Sequence, residues 1–84
     1  GITRKTLLKL AREYKFEVQE EEFDAQDLLN SDECFLSSTT KQLVPITRIN
    51  KQSIGYGRPG PITLKLLKIY REHIREYIEQ NRQQ

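Results

Sequence analysis

The chain has no methionine, no tryptophan, one cysteine and one histidine. A lone Cys34 cannot form an internal disulfide framework, so no covalent staple holds the chain. There is no Cys/His cluster, no acidic loop of calcium-binding spacing and no glycine-rich nucleotide loop, so the sequence offers no basis for a metal or nucleotide site. No apolar run approaches the roughly 18 residues that span a bilayer. A signal-peptide pattern is also missing. The sequence therefore reads as soluble and cytoplasmic, with no membrane partner. Charge of one sign is scarce too: 14 Lys and Arg stand against 12 Asp and Glu, a net charge of +2. That lacks the basic excess of a nucleic-acid binder.

What is present fits one small domain: 84 residues, 36% of them hydrophobic, with a core only marginally able to support itself. A first residue of Gly rather than Met leads us to expect a piece of something longer. Six acids, Glu17, Glu20, Glu21, Glu22, Asp24 and Asp27, form a block that reads as a solvated face.

The apolar spacing of Leu7, Leu8, Ala11 and Tyr14 predicts a helix through about residue 14, with Thr3 as its cap. Phe16 and Val18 alternate with Glu17 and Gln19, which predicts a strand over 15–23 with one wet face. Asp24 can cap a short helix carrying Leu28 and Leu29, ended by Asn30, Ser31 and Asp32. Cys34-Phe35-Leu36 then begins a strand that runs into four hydroxyl side chains, Ser37-Ser38-Thr39-Thr40. A further strand is expected over 43–49, with Pro45 tolerable only at an edge or a bulge. Asn50-Lys51 reverses the chain, Gln52-Ser53-Ile54 pairs back, and Gly55 to Gly60 is a loop. Pro61 opens a last helix whose stripe is Leu67, Tyr70, Ile74, Tyr77 and Ile78, and residues 79–84 form a tail expected to fray.

Two features could hold an anion. Hydroxyls with backbone amides at a strand end can coordinate phosphate, although by itself Ser37-Ser38-Thr39-Thr40 reads first as ordinary strand-edge and turn chemistry. The helix opened by Gly1-Ile2-Thr3-Arg4 presents unpaired amides and a positive dipole end. The other reactive residues read as structural. His73 sits among charged neighbours on the last helix, and Cys34 is a small apolar side chain awaiting a core.

Three separated motifs make the pattern specific: Gly1-Ile2-Thr3-Arg4; Asp32-Glu33 before Phe35-Leu36-Ser37-Ser38-Thr39-Thr40, with Val44-Pro45-Ile46-Thr47-Arg48-Ile49 following; and Gly57-Arg58-Pro59-Gly60-Pro61-Ile62-Thr63. In this order and spacing the chain resembles the C-terminal part of fold-type IV pyridoxal-phosphate aminotransferases, the D-amino-acid and branched-chain enzymes, from Gly1 to about Tyr77. The resemblance implies an α+β segment from the large, cofactor-binding domain, one unit over 1–84, with short mixed strands packed by the first and last helices. It also implies pyridoxal 5'-phosphate as cofactor, its phosphate held by Ile2, Thr3, Ser38 and Thr39, with Thr40 on the substrate side.

The activity implied is movement of an amino group between an amino acid and a 2-oxo acid by a homodimeric parent enzyme. Aminodeoxychorismate lyase shares the fold and is the alternative, as is a non-catalytic module that docks through the last helix. The lysine that links to the cofactor lies upstream in the family. Lys5, Lys9 and Lys15 fall where the family has no such lysine, so they read as surface residues and no catalytic residue is assigned within these 84. Without that lysine the segment is expected to be inactive alone.

Overall fold

The computed structural model describes residues 1–82. The element order is α1 (Ile2–Glu13), α2 (Ala25–Leu29), β1 (Phe35–Ser38), β2 (Gln42–Pro45), β3 (Arg48–Ile49), β4 (Gln52–Ser53) and α3 (Pro61–Arg82). The strands form two separate antiparallel ribbons, β1 with β2 and β3 with β4. Ser38 faces Gln42 and Phe35 faces Pro45 in the first. In the second, Ile49 faces Gln52 across a turn in which Asn50 takes a left-handed φ of 57°. Asparagine tolerates that region better than most side chains.

A two-stranded ribbon is marginal by itself and needs a packing partner. α1 and α3 supply it. Leu7, Leu10 and Ala11 of α1 meet Leu43 of β2 and Leu66, Ile69 and Tyr70 of α3, with Phe16, Val18 and Phe35 packed at the margin. The expected α+β arrangement, with short strands packed by the first and last helices, is what the structure has.

Several local expectations change. Gly1, not Thr3, is the cap of α1, and Thr3 lies buried within the first turn. Residues 15–23 form no strand, because no neighbouring strand is there to accept their ladder bonds. After Lys15 turns the chain with a φ of 69°, the segment runs back along α1. Phe16 and Val18 tuck inward, and Glu20 bridges Arg4 at 3.0 Å and Arg12 at 3.1 Å. The alternation of the sequence therefore survives as alternating burial without a ladder. The guanidiniums of Arg12 and Arg4 hold the Glu20 carboxyl below its ordinary value.

The single strand expected over 43–49 is split into β2 and β3. Pro45 ends β2, since it has no N–H to offer, although Ile46 still donates to the Cys34 carbonyl at 2.9 Å. Asp24 caps α2 as expected, in a reciprocal capping box with Asp27. On α3 the buried face is Thr63, Leu66, Ile69 and Tyr70. Leu67 and Ile74 of the expected stripe are only partly buried, while Tyr77, at 61% exposure, and Ile78 face solvent. The face is set by where α1 and β2 lie, and the last turns of a 22-residue helix run past both. The helix continues to Arg82 through the first positions of the expected frayed tail; Gln83 and Gln84 lie outside the described residues.

One contact closes the fold across 30 residues. The Glu33 carboxylate accepts from the Thr63 amide at 2.7 Å through Oε1 and from the Ile62 amide at 3.1 Å through Oε2. These are two of the orphan donors at the start of α3, capped from a distant loop rather than from the preceding residue. Thr63 is 1% exposed, so its amide has no access to water as a substitute. Gly60 completes the arrangement, because a Cβ there would collide with the Glu33 side chain. Partial burial works to raise the Glu33 pKa, but the Thr63 amide and hydroxyl and the Ile62 amide outweigh it and hold the carboxyl below 4.5.

The packing and the cap can each be tested by substitution. Leu66→Ala should lower stability by about 2–5 kcal/mol, whereas Tyr77→Ala should stay within about 0.5 kcal/mol, as read from urea midpoints; equal losses would contradict the buried face described. Glu33→Gln should cost about 1 kcal/mol at neutral pH. Because the folded pKa is depressed, the carboxylate's contribution is present above the unfolded value and is lost as pH falls through the folded one. The gap between wild type and Glu33→Gln should therefore close on acidification below 4.5; a gap that widened in acid would refute the cap.

Candidate functional site

The first candidate feature is the start of α1. Gly1 provides no side-chain cap, and the first turn contains no acidic residue. The first bond that closes the helix runs from the Lys5 amide to the Gly1 carbonyl at 3.2 Å. The amides of Ile2 and Thr3 precede that bond and are unpaired within the helix, at its positive dipole end. Ile2 is 79% exposed and Thr3 only 5%. Ile2 is thus accessible, and Thr3 is packed in by its surroundings.

The second feature is the turn between β1 and β2. Ser38 is half-buried, while Thr39 and Thr40 are exposed. The Ser38 hydroxyl oxygen accepts from the Thr40 amide at 3.4 Å and the Lys41 amide at 3.3 Å, and it lies 3.3 Å from the Thr40 hydroxyl. These long bonds organise the turn, in which Gln42 adopts a left-handed φ of 64°. The turn reading of the hydroxyl run is present in this geometry. Ser38 shapes the turn: with its oxygen accepting from two amides, its O–H has the Thr40 hydroxyl 3.3 Å away as a partner.

α1 and β1 pack against each other. An open cleft of about 320 Å³ between them is lined by Arg4 of the first helical turn and by Ser37, the neighbour of Ser38, together with Phe23 and Leu36. Ile2, Thr3, Ser38 and Thr39 do not line that cleft. The structure thus brings the two candidate elements to one cleft, with Ile2, Thr3, Ser38 and Thr39 outside its wall.

Other residues weighed from the sequence take structural places. Lys5, Lys9 and Lys15 are exposed. His73 is half-buried on α3 beside Glu76 and Tyr77. Cys34 is half-buried rather than in the core, and burial pushes its thiol above 9.0, away from a reactive thiolate. Among the described residues no group of His, Cys, Asp and Glu is placed to hold a metal ion, and no helix is long and apolar enough to cross a membrane. A second cleft of about 370 Å³ lies at Glu33, Tyr56 and Arg58, away from both candidate features. The one group whose part the sequence did not disclose is the Glu33 carboxylate. Its signal was the Asp32-Glu33 pair before β1, but a partner 30 residues away has no local pattern.

Residues 1–49, which contain both features, match the family model for amino-transferase class IV. The D-alanine aminotransferase of Bacillus licheniformis is 44% identical over 63 residues, 75% of this chain and 22% of that protein. The branched-chain-amino-acid aminotransferase of Pseudomonas aeruginosa is 40% identical over 70 residues, 83% of this chain and 23% of that one. Among solved structures, the branched-chain amino acid aminotransferase of Thermobaculum terrenum in its PLP form superposes with a TM-score of 0.82 at 41% identity, covering 88% of this chain and 24% of its own. The chain therefore spans about a quarter of the length of the relatives it matches. With the family's motifs in order and its fold reproduced over most of the chain, this protein belongs to the class IV aminotransferases.

Proposed function

We propose that this segment holds the phosphate of pyridoxal 5'-phosphate in an enzyme that moves an amino group between a D- or branched-chain amino acid and a 2-oxo acid. The observation that carries the reading is the start of α1, uncapped by any side chain and free of acid in its first turn, on the segment that matches the family. A phosphate dianion suits that end of a helix.

The donor set fits the group. The amides of Ile2 and Thr3 with the hydroxyls of Thr3, Ser38 and Thr39 offer several hydrogen-bond donors and no net charge that a phosphate would have to oppose. The Ser38 oxygen accepts from the Thr40 and Lys41 amides, so its O–H is the group that would turn from the Thr40 hydroxyl to a phosphate. Thr40, next along the turn and exposed, takes the substrate side. Bound pyridoxal phosphate would supply the electron sink for the transfer; these residues grip and orient it. None of Lys5, Lys9 and Lys15, all exposed along or just after α1, takes the role of the catalytic lysine. On this reading the working enzyme is a cytoplasmic homodimer, completed by residues outside these 84.

The test is calorimetric titration of pyridoxal phosphate into the chain, repeated with Thr3→Ala and Thr39→Ala. Saturable binding should weaken by about tenfold or less in each variant, the loss expected for one hydrogen bond, and no amino-group transfer should be detected. Binding indifferent to both substitutions, or turnover by the chain alone, would refute the assignment.

A further inference from the structure

We propose that Glu33 is a positioning residue for the phosphate-holding turn: by fastening the start of β1 to the N-terminus of α3, it sets where the far end of β1, and with it the Ser38 turn, comes to rest. The inference rests on the proposed function for its ligand, and on the geometry of Glu33 for its substance.

Both carboxylate oxygens are committed, one to the Thr63 amide and one to the Ile62 amide, so the side chain is fixed in two directions rather than pivoting on one bond. Glu33 precedes the first residue of β1 by only two positions. The intervening Cys34 carbonyl is itself held by the Ile46 amide at 2.9 Å. There is little slack through which a displacement could be absorbed. Ser38 lies five residues on, about 17 Å away along an extended strand. Along that length the ribbon is stiff to sliding, because slipping one strand breaks its pairing with the other. Leu36 points to solvent, so Phe35, at the margin of the core, is the apolar side chain of β1 that shares the anchoring with Glu33.

The frame to which Glu33 is tied also carries the other half of the candidate site. α3 packs against α1, whose first turn presents Ile2 and Thr3. Loss of the Glu33 clasp leaves β1 held to the helices by Phe35 and, through β2, by Leu43, and loosens the distance between the Ser38 turn and the start of α1. Gly60 provides an independent handle, because adding a Cβ there drives the Glu33 side chain from its place without altering the carboxylate chemically.

The experiment compares the ligand-free, nitrogen-15-labelled chain with Glu33→Gln and Gly60→Ala, using Glu79→Gln as a control on an exposed ion pair. In both test variants the amides of Thr40 and Lys41, which donate to the Ser38 hydroxyl, should shift and exchange faster with solvent while far-UV circular dichroism is retained. Pyridoxal phosphate binding should weaken about tenfold. Should Glu33→Gln fail to fold, Glu33→Asp, which keeps the charge on a shorter arm, carries the same comparison. Perturbation confined to residues 31–35 and 60–64, with the turn amides unmoved, would reduce Glu33 to a helix cap and overturn the proposal. If the wild-type chain binds no pyridoxal phosphate, the proposed function fails while the turn amides still decide the role of Glu33.

Discussion

The β1–β2 ribbon persists because α1 and α3 bury one of its faces, and everything placed for function depends on that packing. Four-residue strands cannot close a core between themselves. Leu43 on the ribbon, Leu7 and Leu10 on α1, and Leu66 and Ile69 on α3 supply the mutual burial that fixes the three elements. Within that cluster α1 is oriented by its apolar face. Arg4 of its first turn and Ser37 near the end of β1 line one cleft. Two weak local features, a helix N-terminus and a short polar turn, become a candidate anion site only because a shared core holds their elements against each other.

Several large apolar side chains are exposed. Phe23 and Leu36 are exposed beside the cleft between α1 and β1, and Tyr56, Tyr77 and Ile78 are exposed elsewhere. On the proposed reading, the chain contributes about a quarter of a longer enzyme, and the side around Phe23 and Leu36 is where further structure would pack.

Where the sequence was legible, the physics was local. Leu7 and Ala11 of the α1 stripe, though not its exposed Tyr14, the Asp24 cap of α2, the β1 hydroxyl run and the proline opening of α3 each rest on residues within a turn or two of one another. The readings that moved depended on distant partners. Residues 15–23 alternate like a strand, yet whether they pair depends on a neighbour that is not there, and Glu20 instead fastens them to Arg4 and Arg12. The α3 stripe drawn through Leu67 and Tyr77 was internally consistent. The true face runs through Leu66 and Ile69, because α1 and β2 decide which side is covered. Glu33 was visible as part of a motif, but its role could not be read without knowing that residues 62 and 63 lie against it. Of the candidate site, the residue types were readable and their mutual placement was not.

The central claim is that the start of α1 and the β1–β2 turn act as one phosphate-binding unit. Titrating inorganic phosphate into the labelled chain while following the amides of Ile2, Thr3 and Thr39 tests it most directly. The account predicts that all three move together along a single saturation curve. Movement of the α1 amides alone, with Thr39 stationary throughout, would contradict it and leave the hydroxyl run as turn chemistry.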